Sequence, residues 1–330
     1  MSIDKKILIK QIFNEQYTLV VEMEARLIDS YMTSCTKLRY DFTIINFDEN
    51  SIECRLVLLD IYLEKSNNDL IREVAQLTAA FNRMFNELHL KLSQKGDVIE
   101  VINIDLIVSK WEETKLEMKS VVANNEELKK LIAINDALFT NKEKLRTAIQ
   151  GNEFFSVYFG HIYNVDLPNR KKVFGTNIFN TANMEWDVES ESNIKLPSEN
   201  LETLVILTKA KPEIPLSLGT FNAAYNQFKD KINIDPVKIK IFQEEERSID
   251  YRTGRLKKAS VKKVEDVVSE KLYNKFTYTM TSDSEKKKNN LEKLEPAHKS
   301  EIYTDENGKE YTHEEWIEHK KKFWGTGSIE

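Results

Sequence analysis

The residues able to do chemistry in this chain are few, and their spacing argues against most reactions. Two of the five histidines lie in His313-Glu314-Glu315-Trp316-Ile317-Glu318-His319. A helical zinc motif sets its histidines four apart, so that one face presents both. Here they are six apart, and Ile317 takes the place of the second ligand. His89 and His161 stand alone and read as partly exposed strand or interface residues. Glu244-Glu245-Glu246 and Glu112-Glu113 supply carboxylates, but paired acids do acid–base work only where their surroundings drive the pKa values apart. Charge runs mark solvated faces, so neither set is nominated. The chain carries no G-x-x-x-x-G-K-[ST], no G-x-G-x-x-G after a strand and no G-x-S-x-G elbow. Sequence therefore nominates no catalytic residue, no cofactor-binding residue and no metal ligand.

The cationic residues point the same way. Lys286-Lys287-Lys288 reads as a solvated linker. Arg252, Arg255, Lys257, Lys258, Lys262 and Lys263 form the densest basic stretch and would suit an acidic partner, although Glu265 and Asp266 close the run. A net charge of -6 with interspersed signs offers no broad basic field, so nucleic acid is not an expected partner. Nine glycines and six prolines compare with roughly twenty-three and sixteen at average usage. That leaves little for glycine-rich phosphate loops or for low-complexity disorder.

Large apolar side chains are the more informative set. Phe154, Phe155, Tyr158 and Phe159, with Tyr163, either fill a core between two lobes or form an exposed patch for a partner or ligand. In the tail, Asn307-Gly308 marks a hairpin turn between 301–304 and 309–312. Thr312 can then cap a helix, with Glu315 completing a capping box. On that helix Trp316, Ile317, Phe323 and Trp324 share one face. A hairpin-helix is too small to enclose them, so the face must dock on the protein's own body, a second copy or another protein. Glu314, Glu315 and Glu318 oppose insertion at an anionic membrane surface.

The elements that would carry these residues centre on Asn67–Asn103. Leu70, Val74, Leu77, Phe81, Met84/Phe85 and Leu88 recur at helical spacing. The period then switches to a hairpin turning at Lys95-Gly96, which sets Leu90 against Val101 and Leu92 against Ile99. Strands are expected at 17–30, around Leu38–Ile44 and at 51–64, the last covered on both faces because Leu56 and Leu58 oppose Val57, Leu59, Ile61 and Leu63. A turn at Asp48-Glu49-Asn50 places Cys54 near Ile44 and Cys35 near Leu63, about 30 Å away along the strand. That excludes a disulfide between them. Residues 105–150 read as helical with a break at Asn124-Asn125, and strands resume at 172–179, 184–190, 201–208, 237–247 and 273–280 around a helix at 218–232.

The expected fold is α+β. Two antiparallel-sheet lobes (β-β-β-α-β-β, with Phe81–Asn86 and Phe221–Asn226 echoing each other as if duplicated) would each pack one helix. The division runs 1–104 for lobe one, 105–164 for a helical bridge, 165–283 for lobe two and 284–330 for a linker with a hairpin-helix docking tail. No signal-peptide pattern and no membrane-length apolar run is present, which predicts a cytoplasmic protein. The leading functional expectation is a non-catalytic protein that binds a protein partner or itself, as a component or accessory of an assembly. The alternative is a carrier of a small apolar ligand between sheet and helix, lined by Tyr40, Phe42, Phe81, Phe85, Phe221 and Tyr225. An enzyme without a local motif comes third.

Overall fold

Alternating apolar residues over most of the chain build one sheet rather than two. The computed structural model describes residues 6–73, 75, 82–122, 126–193, 202–294, 303–304 and 310–311. They fall into two compact units, Met1–Ser284 and Glu285–Glu330. The first unit is an antiparallel sheet of eleven strands: β1 (Phe13–Leu27), β2 (Ser30–Phe47), β3 (Ser51–Ser66), β4 (Glu87–Ser93), β5 (Val98–Val101), β6 (Asn169–Thr176), β7 (Asn183–Ser192), β8 (Thr203–Pro212), β9 (Lys240–Asp250), β10 (Leu256–Val268) and β11 (Leu272–Ser282). Their order is β5-β4-β3-β2-β1-β11-β10-β9-β8-β7-β6, with β5 and β6 left as edges, so the sheet is not closed into a barrel.

This overturns the expectation of two lobes, each with its own sheet and helix. The two meanders are joined in register by β1 and β11, from Tyr17 opposite Ser282 to Leu27 opposite Leu272. Local periodicity identifies strands but carries no information on a pairing between opposite ends of the unit. β10 was also absent from the expected strands, because its lysines read as a basic stretch. In the sheet they divide by face: Lys258, Ser260 and Lys262 turn outward, while Ala259, Val261, Lys263, Glu265 and Val267 turn toward the covered face.

Between β5 and β6 the chain forms α1 (Ile104–Val122), α2 (Glu126–Phe139), α3 (Lys142–Gln150) and α4 (Glu153–Phe159). A short α5 (Leu218–Tyr225) joins β8 to β9. All inward-facing strand residues share one side, where they form two apolar clusters. The larger gathers β1 to β4 beneath the α1–α4 helices, and the smaller gathers β6, β7 and the ends of β8 to β11 around Tyr225 of α5. The opposite face carries ion pairs such as Lys37–Glu64 at 2.7 Å and Arg55–Glu87 at 2.8 Å, as a solvated antiparallel face should.

Phe154, Phe155, Tyr158 and Phe159 are all buried in the larger cluster. Of the two readings the sequence left open, these side chains occupy the core. Phe154 meets Tyr40 at 5.0 Å and Phe42 at 5.1 Å between ring centroids, and Tyr158 meets Phe42 at 5.1 Å. Tyr40 and Phe42, expected around a cavity, are therefore filled over. Hydroxyls from β1, from α4 and from the segment after it converge on the β9–β10 turn: Tyr17 donates to the Leu256 carbonyl at 2.9 Å, Tyr163 to the Gly254 carbonyl at 2.8 Å, and Tyr158 accepts from the Leu256 amide at 3.2 Å.

Several local expectations resolve at this level. Cys54 stands opposite Ile44 as predicted, and Cys35 stands opposite Lys65, next to the Thr36–Leu63 pair. Both thiols are free. Leu90 faces Val101 as predicted, but a register shift sets Leu92 against Val98 and leaves Ile99 exposed. The mixed apolar pattern of β3 comes from a bulge, with Arg39 opposite Asp60 and Tyr40 opposite Leu58. Leu56 and Leu58 face the core before it, Ile61 after it, and Leu59 at the bulge is exposed. The helix expected from Asn67 is described only at residues 69–73 and 75, with a tight turn at Asn82–Phe85. Val74, Leu77 and Phe81 lie outside the described residues, and Leu70 is exposed. The stretch read as a linker from Ser284 is instead part of α6 (Asp283–Leu294). In the second unit β12 (Tyr303–Thr304) pairs with β13 (Glu310–Tyr311), setting Tyr303 opposite Tyr311. That is the expected hairpin. The docking residues Trp316, Ile317, Phe323 and Trp324, with His313 and His319, lie outside the described residues.

Because Phe154 contacts aromatic rings from β1 and β2 and from its own helix, Phe154→Ala should leave a cavity that cannot collapse. The expected loss is about 3–5 kcal/mol of unfolding free energy, read from urea denaturation. Leu59→Ala, at the exposed bulge, should cost under about 0.5 kcal/mol in the same assay.

Candidate functional site

The covered face changes character midway between its two apolar clusters. In β9, Ile241, Gln243, Glu245, Arg247 and Ile249 alternate with outward residues and so all turn inward. Ile241 and Ile249 enter the two clusters, which leaves Gln243, Glu245 and Arg247 between them. Register then sets other polar residues beside these three. Lys263 of β10 stands opposite Gln243, and Glu245 stands opposite Thr208 of β8, which stands opposite Ser190 of β7. The Thr208 and Ser190 hydroxyls bond each other at 2.9 Å.

Arg247 and Glu245 are buried, at 1% and 6% exposure, and form a direct ion pair. Burial opposes the charge of Glu245, but the Arg247 guanidinium outweighs it, so the carboxyl is held below its usual range. Arg247 also donates through Nε to the Val157 carbonyl at 2.9 Å and through Nη2 to the Ser156 carbonyl at 3.1 Å. These are carbonyls of the last turn of α4, where a cation meets the negative end of the helix. The chain leaves α4 at Gly160, with φ +52, and a Cβ there would run into the guanidinium. Only glycine meets both demands, and it delivers His161 into the gap between the clusters.

That gap is a cleft of about 420 Å³. Its floor crosses six adjacent strands: Phe276 and Tyr278 of β11, Lys263 of β10, Gln243 of β9, Ala210 of β8, Val188 and Trp186 of β7 and Val173 of β6. Phe276, Lys263, Gln243, Ala210 and Val188 are successive register partners, so they form one transverse row. Residues 175–178 with Asn180 close one side and His161 overhangs it. Burial pushes the Lys263 ammonium down from its ordinary pKa, and its Nζ stands 5.4 Å from the Tyr278 ring centroid. Burial, reinforced by Lys171, likewise lowers His161 and favours neutral imidazole. At the start of α4, Glu153 keeps an exposed edge, yet burial raises the pKa of its carboxyl.

One wall is held by a second buried carboxylate. Glu265 accepts from Asn177 Nδ2 at 2.8 Å, the Ile178 and Phe179 amides at 2.7 and 3.1 Å and the Tyr225 hydroxyl at 2.7 Å. Four donors account for its lone pairs, so Glu265 positions the 177–182 turn rather than offering itself to a ligand. No group of three or more histidine, cysteine or acidic side chains able to hold a metal ion occurs among the described residues.

The structure therefore gathers residues that the sequence reading dismissed. Glu245 was read as part of a solvated run, Lys263 as part of a basic stretch and His161 as isolated. A signal was present: Ile241-x-Gln243-x-Glu245-x-Arg247-x-Ile249 places an opposite-charge pair in phase with apolar residues at both ends of one strand. The expected cavity lining is not brought together here. Tyr40 and Phe42 lie in the larger cluster, Phe85 stacks on Phe139 at 5.5 Å, and Phe221 and Tyr225 border a separate hollow beside α5.

Replacing Arg247 by Met should strand a buried carboxylate and cost about 3–5 kcal/mol. The pair Glu245→Leu with Arg247→Met should recover most of that in urea denaturation. His161 adds a pH signature. Its folded-state pKa lies below the unfolded value of about 6.5, so the unfolded chain binds the proton first. Stability should be full above that pH and fall as pH drops through it toward the folded value. His161→Phe should flatten this step in a series of melts. The Glu245 contribution, present above about pH 4.3 and lost below it, should persist in that variant.

No protein-family model matches the chain. No curated protein matches it either. Among solved structures, one described as "Lipid-protein interactions in lipovitellin" is similar, with a TM-score of 0.38 and 7% identity over 82% of this chain. The similar region spans 25% of that other chain.

Proposed function

We propose that this protein binds and carries a small, largely apolar molecule in the cleft on the covered face of its sheet. The observation that supports this reading is the lining. Val173, Trp186, Val188, Ala210, Phe276 and Tyr278 present apolar surface, interrupted by a few convergent polar groups from Lys263, Gln243 and His161. A volume of about 420 Å³ sits within the ~300–1,000 Å³ of small-molecule sites. The walls are pre-formed by strand register, by the Glu265-anchored turn and by the Arg247-anchored end of α4. Binding would then need little ordering of the chain, which favours affinity.

A second reading concerns the tail. Trp316, Ile317, Phe323 and Trp324 share one face of a sequence-predicted helix, and we propose that this face docks on a protein partner or a second copy. No helix among the described residues is long and apolar enough to cross a membrane.

Calorimetric titration with dodecanol tests the first reading. The wild-type chain should show saturable binding at one site with a negative heat-capacity change. Ala210→Phe, which fills the floor, should abolish it with an unchanged circular dichroism spectrum. A wild-type chain that binds neither dodecanol nor dodecanoate, and brings no apolar compound through gentle purification, defeats the reading. For the tail, Trp316→Ala with Trp324→Ala should lower association in native co-purification while leaving the 1–284 unit folded. Unchanged association would remove the docking reading.

A further inference from the structure

We infer that the molecule held in this cleft is a singly charged amphipathic anion, a monocarboxylate whose head pairs with Lys263 and whose apolar body runs toward β6. The inference rests on the cleft being a ligand site, and adds the chemistry of the occupant. Lys263 rises from the row that forms the floor, between Phe276 and Gln243. Apart from the Tyr278 ring, its ammonium has no hydrogen-bond or ion-pair partner among the described residues. An ammonium carries three donors, and Lys263, half-buried with no acceptor among the described residues, offers them to an anionic oxygen in the cleft.

The neighbouring acids leave that demand open. Glu245 is committed to Arg247 and to Gln243 Nε2, and Glu153 makes no hydrogen bond to Lys263. Their presence also sets the charge of the ligand. A dianion would face both carboxylates, whereas a single negative charge is matched by the Lys263 ammonium. His161, favoured as neutral imidazole, adds an N–H donor to the lining. Beyond Gln243 the floor turns apolar through Ala210, Val188 and Val173. From β10 to β6 is four strand spacings, about 19 Å, room for an extended medium-length alkyl chain.

The test compares dodecanoate, dodecanol and dodecylammonium by calorimetry, each below its aggregation threshold, on the wild type, Lys263→Met and Lys263→Arg. Dodecanoate should bind the wild type about tenfold or more tighter than dodecanol, as a charge-assisted hydrogen bond requires. Lys263→Met, shown to be folded by an unchanged circular dichroism spectrum, should erase that preference. Lys263→Arg should restore it. Equal wild-type affinity for dodecanoate and dodecanol overturns the inference and leaves the carrier reading standing. So does a preference for dodecylammonium, or capture of anionic phospholipid vesicles without uptake of free dodecanoate. Binding of none of the three ligands overturns both.

Discussion

The ion pair of Arg247 with Glu245 is the constraint around which the covered face is arranged. A buried guanidinium needs a partner at each nitrogen, and Arg247 finds them in two directions, on the carboxylate two residues earlier in β9 and on the last carbonyls of α4. This fixes where α4 ends over the sheet. Phe154, Phe155, Tyr158 and Phe159 are carried by that helix, so the position of its end also sets the packing against Tyr17, Tyr40 and Phe42. Burial and neighbouring polar groups leave the Tyr158 hydroxyl pushed up to about 12, so it stays protonated as a hydrogen-bonding partner of the β9–β10 turn.

The same constraint produces the cleft. Helices α1–α4 cover the β1–β4 end of the face and α5 covers the far end, and each roofs its own apolar cluster. A continuous apolar core would close the gap between them. Instead the intervening rows hold Lys263, Gln243, Glu245, Thr208 and Ser190, which have to be paired or solvated and cannot simply be packed over. Glu245, Thr208 and Ser190 are satisfied internally. Lys263 and His161 line the open space, and this difference separates structural polar groups from those available to a ligand.

How much of this was legible depends on the distance over which each feature is decided. Alternation located most strands, and turn chemistry located Gly96 and the short hairpin of Tyr303–Tyr311. Register between adjacent strands could be counted, which is why Cys54 fell opposite Ile44 and a disulfide was excluded. These are decided within a few residues by the period of a strand and the geometry of a turn. The bulges of β3 and of the β4–β5 hairpin slip register by one residue without any composition mark, so Ile99 and Leu59 were assigned to buried faces that they do not occupy.

The sequence by itself determined that the chain is α+β with antiparallel strands and that it lacks the common catalytic motifs. Only the tertiary structure decided that the two meanders are one sheet, because the pairing of β1 with β11 is a contact between opposite ends of the unit and costs nothing in local pattern. It also decided which charges are inside. Glu245 and Lys263 sit in runs whose composition is that of a solvated surface, and a strand's alternation places every second charge on either face alike. The side that is covered depends on where helices from elsewhere in the chain come to rest, and the Arg247 donors, reaching carbonyls about ninety residues away in sequence, hold α4 in that place.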